Sequence, residues 1–158
     1  MSLAFINAFA QVVAALGVII TLYYLGAQIK QNTAAIRRAA YQEMLTYIAS
    51  ANLLLTTDRE LCELFIRIRP GLDCVEEADQ MRVLVWYGTV FRHYQNAFNS
   101  RREGLIADVQ WENLSGPLGR NLTYPGQRDC WEIIRGSFTP EFQAYVEKRA
   151  EEVAAETT

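Results

Sequence analysis

The residues best suited to chemistry gather in one stretch, Arg92, His93, Asn96, Asn99, Arg101, Arg102, Glu103 and Asp108. Guanidinium forks and amide side chains of this kind can hold a phosphate or a lipid headgroup through charge-assisted hydrogen bonds. An imidazole among them could move a proton near neutral pH. His93 is the only histidine, so any histidine-based catalysis would have to use it. It has no Glu or Cys at a motif spacing, which favours a core or interface histidine over a catalytic one. Taken together, Arg92, His93, Arg101 and Asp108 form a candidate polar cluster, and its ordinary role would be a salt-bridge network tying two helices together. The chain contains no HExxH, no EF-hand loop, no Walker loop and no GxGxxG, so no catalytic residue, metal or cofactor is expected. The three cysteines, Cys62, Cys74 and Cys130, are odd in number and widely spaced, and they read as reduced, mostly buried thiols.

A second possibility stays open through the aromatic residues Trp86, Tyr87, Phe91, Tyr94 and Trp131. If they enclosed a pocket, the chain would be an enzyme or a transporter-like binder of a lipid or an apolar small molecule.

Charge divides the sequence unevenly. Fifteen Lys and Arg stand against eighteen Asp and Glu, a net charge of −3, which leaves no cationic footprint for nucleic acid. The first charged side chain is Lys30. Before it, Leu3 to Gly26 reads LAFINAFAQVVAALGVIITLYYLG. A helix of that length would measure about 36 Å and could cross a hydrocarbon core of about 30 Å. Its Leu, Ile, Val and Phe residues contribute on the order of −5 kcal/mol to insertion, with no charge opposing them. A secretory signal would carry a basic segment ahead of the apolar run, and a buried core helix would show charge on some face. Neither feature is present. Membrane lipid is therefore the expected first partner. Lys30, Arg37 and Arg38 follow the segment with no acid before Glu43, so the positive-inside rule places the N-terminus outside and the remainder in the cytoplasm. These three cations are also placed to meet anionic headgroups.

One stripe of the segment stands apart. Asn7, Ala10, Ala14, Gly17, Thr21, Tyr24 and Gln28 recur at alternating spacings of three and four, which puts them on one helix face. Most are small or polar. In lipid, helices associate through close packing and interhelical hydrogen bonds, because apolar side chains gain little by leaving one hydrocarbon environment for another. The stripe is the expected seam of a homo-oligomer or of a subunit in a larger membrane complex.

Beyond Gln28, helical signals run to about Leu55 without Pro or Gly, and a bend near Asn32-Thr33 is conceivable because short polar side chains compete for backbone hydrogen bonds. Thr57-Asp58-Arg59-Glu60 reads as a capping box, with Pro70-Gly71 ending the helix it opens. A helix from about Val75 to Glu103 carries Leu84, Tyr87, Phe91, Tyr94 and Phe98 on one broad face. A turn at Gly104 leads to Asp108 as the expected N-cap of a shorter helix that weakens at Gly116-Pro117. Pro125 and Thr139-Pro140-Glu141 open two more, and the acidic tail from Glu147 to Thr158 reads as a fraying, exposed end. No strand pattern competes. The expected fold is all-α, with a transmembrane helix (1–28) continuing into a small cytoplasmic helical bundle (29–158).

Three blocks, LGVIITLYYLGAQIKQNTAAIRRAAYQ, RHYQNAFNSRREGLIADVQWENL and WEIIRGSFTPEFQAYVE, resemble a family of uncharacterised bacterial proteins that pair one N-terminal membrane helix with a helical cytoplasmic domain. The most specific piece is Gln28-Ile29-Lys30-Gln31-Asn32-Thr33, where the family pattern has Arg in place of Lys30. Gln95 stands where the family has Glu. The resemblance implies the bacterial inner membrane and the same architecture, and it carries no activity and no catalytic residues.

Overall fold

The computed structural model describes residues 3–156. Thr157 and Thr158, the end of the expected tail, lie outside the described residues, as do Met1 and Ser2. The described chain is helical throughout its regular structure: α1 (Leu3–Thr57), α2 (Arg59–Arg67), α3 (Glu77–Arg102), α4 (Asp108–Asn121), α5 (Pro125–Ile134) and α6 (Pro140–Glu156), with single 3-10 turns at Leu72–Cys74 and Arg135–Ser137. The chain separates into two compact units that meet at Ala39 and Ala40, and α1 contributes to both.

In the first unit, α1 is one helix long and apolar enough to cross a membrane, and none of its most apolar window is buried. No break occurs at Asn32-Thr33. A single Asn-Thr pair offers competing hydrogen bonds of modest net strength, too little to interrupt a run of good helix formers.

The second unit is built around α3. Its Val83, Tyr87, Phe91 and Tyr94 are buried, at the i, i+4 and i+3 spacings that a helix needs to keep one face inward. Leu64 and Ile68 meet this face from α2 and its end, Trp111 and Leu118 from α4, Trp131 from α5, and Phe142 and Val146 from α6. Met44 is the fully buried contribution of α1.

Helix ends follow local chemistry, with three departures from expectation. Asp58, not Thr57, caps α2: its Oδ1 accepts from the Leu61 N–H at 2.9 Å, while the Thr57 hydroxyl donates back to Leu53 O at 2.7 Å and closes α1. Asp108 is the first residue of α4, and the N-cap is Ala107. There the Gln110 side chain accepts from the Ala107 N–H at 3.1 Å, which frees Asp108 for an ion pair. The third departure is that α4 passes through Gly116-Pro117 to Asn121. The only backbone bond that Pro117 removes is the one to the carbonyl of Asn113, an exposed position where water can supply the missing donor. Gly104 has φ 73°, the left-handed conformation that ends a helix at little cost only for glycine.

Within the described residues the acidic tail forms the helical end of α6 and is exposed at Glu151, Ala154 and Ala155. α6 runs to Glu156 and packs closely on α4, because Gly119 lets the two backbones approach: a Cβ there would come within 2.6 Å of Arg149 O. Arg149 pairs with Glu112 at 3.5 Å and Glu152 at 2.9 Å, and Glu147 pairs with Arg135 at 2.8 Å. The acids that suggested a solvated end are spent in part on these contacts.

Candidate functional site

On the first unit, the stripe Asn7, Ala10, Ala14, Gly17, Thr21, Tyr24 and Gln28 is exposed along α1. The Thr21 hydroxyl donates to Gly17 O at 2.8 Å, so this polar group is satisfied within its own helix. A Cβ at Gly17 would meet nothing within 4 Å, which leaves the notch at Gly17 open to a neighbour. The large apolar side chains around the stripe are also uncovered, from Leu25 at 48% exposed to Tyr23 at 83%. Lys30, Arg37 and Arg38 are exposed and, among the described residues, have no carboxylate partner. Arg38 Nε donates to Ala34 O at 3.3 Å.

On the second unit, the candidate polar cluster does not converge. Arg101 Nε reaches Asp108 Oδ1 at 2.7 Å, joining the end of α3 to the start of α4. His93 turns the other way and stacks on Tyr47, with ring centroids 3.5 Å apart and planes 18° from parallel. Arg92 lies 6.0 Å over the Phe138 ring, and Arg102 6.0 Å over Phe98. The four residues thus serve as an ion pair, a ring stack and a cation-aromatic contact. Beside His93, Glu43, Asn96 and Ser100 line a cavity of about 40 Å³, room for about one water. Gln95 Oε1 accepts from the Thr139 N–H at 2.8 Å, fastening the start of α6 to α3.

The aromatic residues make core. Tyr87, Phe91, Tyr94 and Trp131 are each under 5% exposed, and Phe91 meets Trp131 at 4.8 Å between centroids. Trp86 alone of the five reaches the surface, where it lines an apolar groove of about 340 Å³ with Tyr47, Leu54, Leu61 and Val85. Ser50 and Thr89 on its edges turn their hydroxyls to Thr46 O and Val85 O.

Burial pushes the Tyr94 hydroxyl up to about 12, with Tyr47 adding to the rise and Arg120 opposing it; Tyr87 is raised by burial in the same way. The Cys130 thiol is pushed up to about 12 by burial and by the nearby Asp129. All three keep their protons at neutral pH, so none supplies a phenolate base or a thiolate nucleophile. Cys62 and Cys74 are exposed, and only Cys130 is buried. This corrects the expectation of mostly buried thiols: Cys62 falls on the outer face of α2, and Cys74 in a short surface turn.

One feature escaped the sequence entirely. Between the end of α4, the following turn and α6 lies a cleft of about 770 Å³ lined by Gly116, Arg120, Thr123, Tyr124, Arg149 and Glu152. Arg69, from the end of α2, lays its guanidinium 4.7 Å over the Tyr124 ring. Arg128 on α5 donates to Leu122 O from Nη2 at 3.2 Å. Comparison with protein-family models, with curated proteins and with solved structures finds no match to the chain.

Proposed function

We propose that this chain is a non-enzymatic, single-pass membrane protein that works through helix-mediated assembly. The carrying observation is the exposed apolar surface of α1 before Lys30, where Phe9, Val12, Ile19, Ile20 and Leu22 are each more than half exposed with no charge among them. A surface of this extent, wrapping a helix on all sides, has no stable place in water. Lipid tails would cover it, and beyond the first turn the backbone groups of the helix are bonded within the helix as a bilayer requires. Lys30, Arg37 and Arg38 support an orientation with the N-terminus outside and residues 29–158 in the cytoplasm. The bacterial inner membrane follows from the family resemblance.

Assembly is argued from the stripe. Gly17 and the internally bonded Thr21 offer close approach without an unsatisfied polar group, and Asn7 and Gln28 supply donors and acceptors at its two ends. The partner is a second copy of the chain or a subunit of a larger membrane complex. Crosslinking in native membranes tests this. The wild type should give a dimer or higher band, and Gly17→Leu should cut its yield several-fold by holding the backbones apart. A wild type that stays monomeric and binds no other subunit would overturn the proposal.

A further inference from the structure

We propose that the cleft between α4 and α6 is a binding site for a phosphate group, carried by a lipid headgroup or by a small soluble phosphate ester. The argument begins with charge. On a chain of net charge −3, Arg69, Arg120 and Arg128 have no carboxylate partner among the described residues; Arg120 lines the cleft, and Arg69 and Arg128 flank the turn that joins α4 to α5. Arg69 lies on the Tyr124 ring, part of the cleft wall, and Arg128 is held at Leu122 O by two donors, at 3.4 and 3.2 Å. A guanidinium that has no ion-pair partner draws an anion to it, and the basic residues flanking the turn add to that field.

The acid that lines the cleft is already paired. Glu152, the one acid lining the cleft, is taken by Arg149 at 2.9 Å and Lys148 at 3.8 Å. Asp129, next to Arg128, accepts the Leu72 N–H at 3.0 Å. Arg149 is shared by Glu112 and Glu152, so the uncommitted charge in the cleft is that of Arg120. Thr123 contributes a hydroxyl on the same wall, at present donating to Arg120 O at 2.8 Å.

The wall is held in place. Gly126, one residue past Pro125, packs so tightly on Ile68 O that a Cβ there would collide with it, and its N–H donates to Arg69 O at 3.4 Å. Arg69 and the Tyr124 turn are thereby tied together through backbone as well as through the ring contact. A guanidinium offers a planar fork of donors that matches phosphate oxygens. The ligand class is therefore a phosphate, bound mainly by Arg120 and drawn in by the field of Arg69 and Arg128.

The test uses the full chain in phosphatidylcholine nanodiscs, with unfolding followed through the buried Trp111 and Trp131. Inorganic pyrophosphate is titrated against sodium chloride at equal ionic strength. The expected result is a saturable rise in Tm with pyrophosphate alone. Arg120→Gln should weaken it about tenfold, as the loss of one charge-assisted contact implies, and Arg69→Gln should weaken it less. Arg59→Gln, which removes a 91% exposed cation on α2, should leave it unchanged. A second set of discs, one third phosphatidylglycerol, separates the two sources. Loss of the pyrophosphate effect there assigns the site to a lipid headgroup already bound, and its persistence assigns it to a soluble phosphate. No saturable rise in either disc, or an Arg120→Gln protein that responds like the wild type, overturns the proposal.

Discussion

Trp111, Tyr145 and Ser115 form a buried polar network in which each group is met, whereas Gln127 Oε1 and Trp131 Nε1 are buried without a hydrogen-bond partner among the described residues. Trp111 Nε1 donates to the Tyr145 hydroxyl at 2.8 Å, and that hydroxyl donates to Ser115 Oγ at 3.0 Å, so one oxygen satisfies both neighbours across the α4 and α6 contact. Trp111 and Ser115 are both inaccessible to water. Replacing Tyr145 by Phe keeps the ring and removes only that oxygen, leaving an indole N–H without an acceptor. The expected cost is about 1–3 kcal/mol, the desolvation penalty of an unmet donor, measured by denaturant unfolding of the variant against the wild type. A change below about 0.5 kcal/mol would mean that water reaches the indole. Nothing in the spacing of Trp111 and Tyr145, on separate elements 34 positions apart, signalled this pairing. The roles of Arg92, His93 and Arg101 were hidden for the same reason, since their side chains leave α3 in different directions toward Phe138, Tyr47 and Asp108.

At the scale of elements, helix identity followed from local signals, and helix contacts did not. Pro125 and Pro140 each stand as the first residue of their helices, where the missing N–H costs nothing. The apolar spacing of α3 also placed its buried face correctly at Tyr87, Phe91, Tyr94 and Phe98, with Leu84 only half-buried at its edge. The close crossing of α4 and α6 was not legible, because Gly116-Pro117-Leu118-Gly119 reads locally as a helix breaker. In the fold, Gly119 is instead the point where α4 meets the Arg149 backbone. Gly119→Ala should therefore destabilise the second unit, although alanine is the better helix former. Separating two packed helices typically costs about 1–3 kcal/mol, which outweighs the gain of about 1 kcal/mol in helix propensity. Gly116→Ala supplies the comparison, since a Cβ there meets only the flexible end of Arg120 at 3.9 Å and should be neutral or stabilising. Chemical denaturation of both variants gives the two signs directly.

At the scale of the whole molecule, the decisive property is the contrast between an uncharged helical segment and the charged sequence behind it. If lipid covers the segment, the protein should resist extraction by alkaline carbonate. Leu16→Lys together with Ile19→Lys should release it, because two central lysines cost about 5–7 kcal/mol against an apolar gain on the order of 5 kcal/mol. A wild type that is itself extracted would sink the transmembrane proposal. The all-helical class, the apolar run before Lys30 and most helix starts were determined by the sequence alone, since each depends on neighbours within one or two turns of the same chain. Tertiary structure decided the rest: that Thr57 closes one helix while Asp58 opens the next, that the acidic tail packs as the end of α6, that the rings near Trp131 fill space, and that Arg69 and Arg128 flank the turn beside the cleft that Arg120 lines. The physical reason is directional. Periodicity tells which face of a helix is apolar, whereas the meeting of side chains from different helices depends on crossing points and rotations that only the packed core sets.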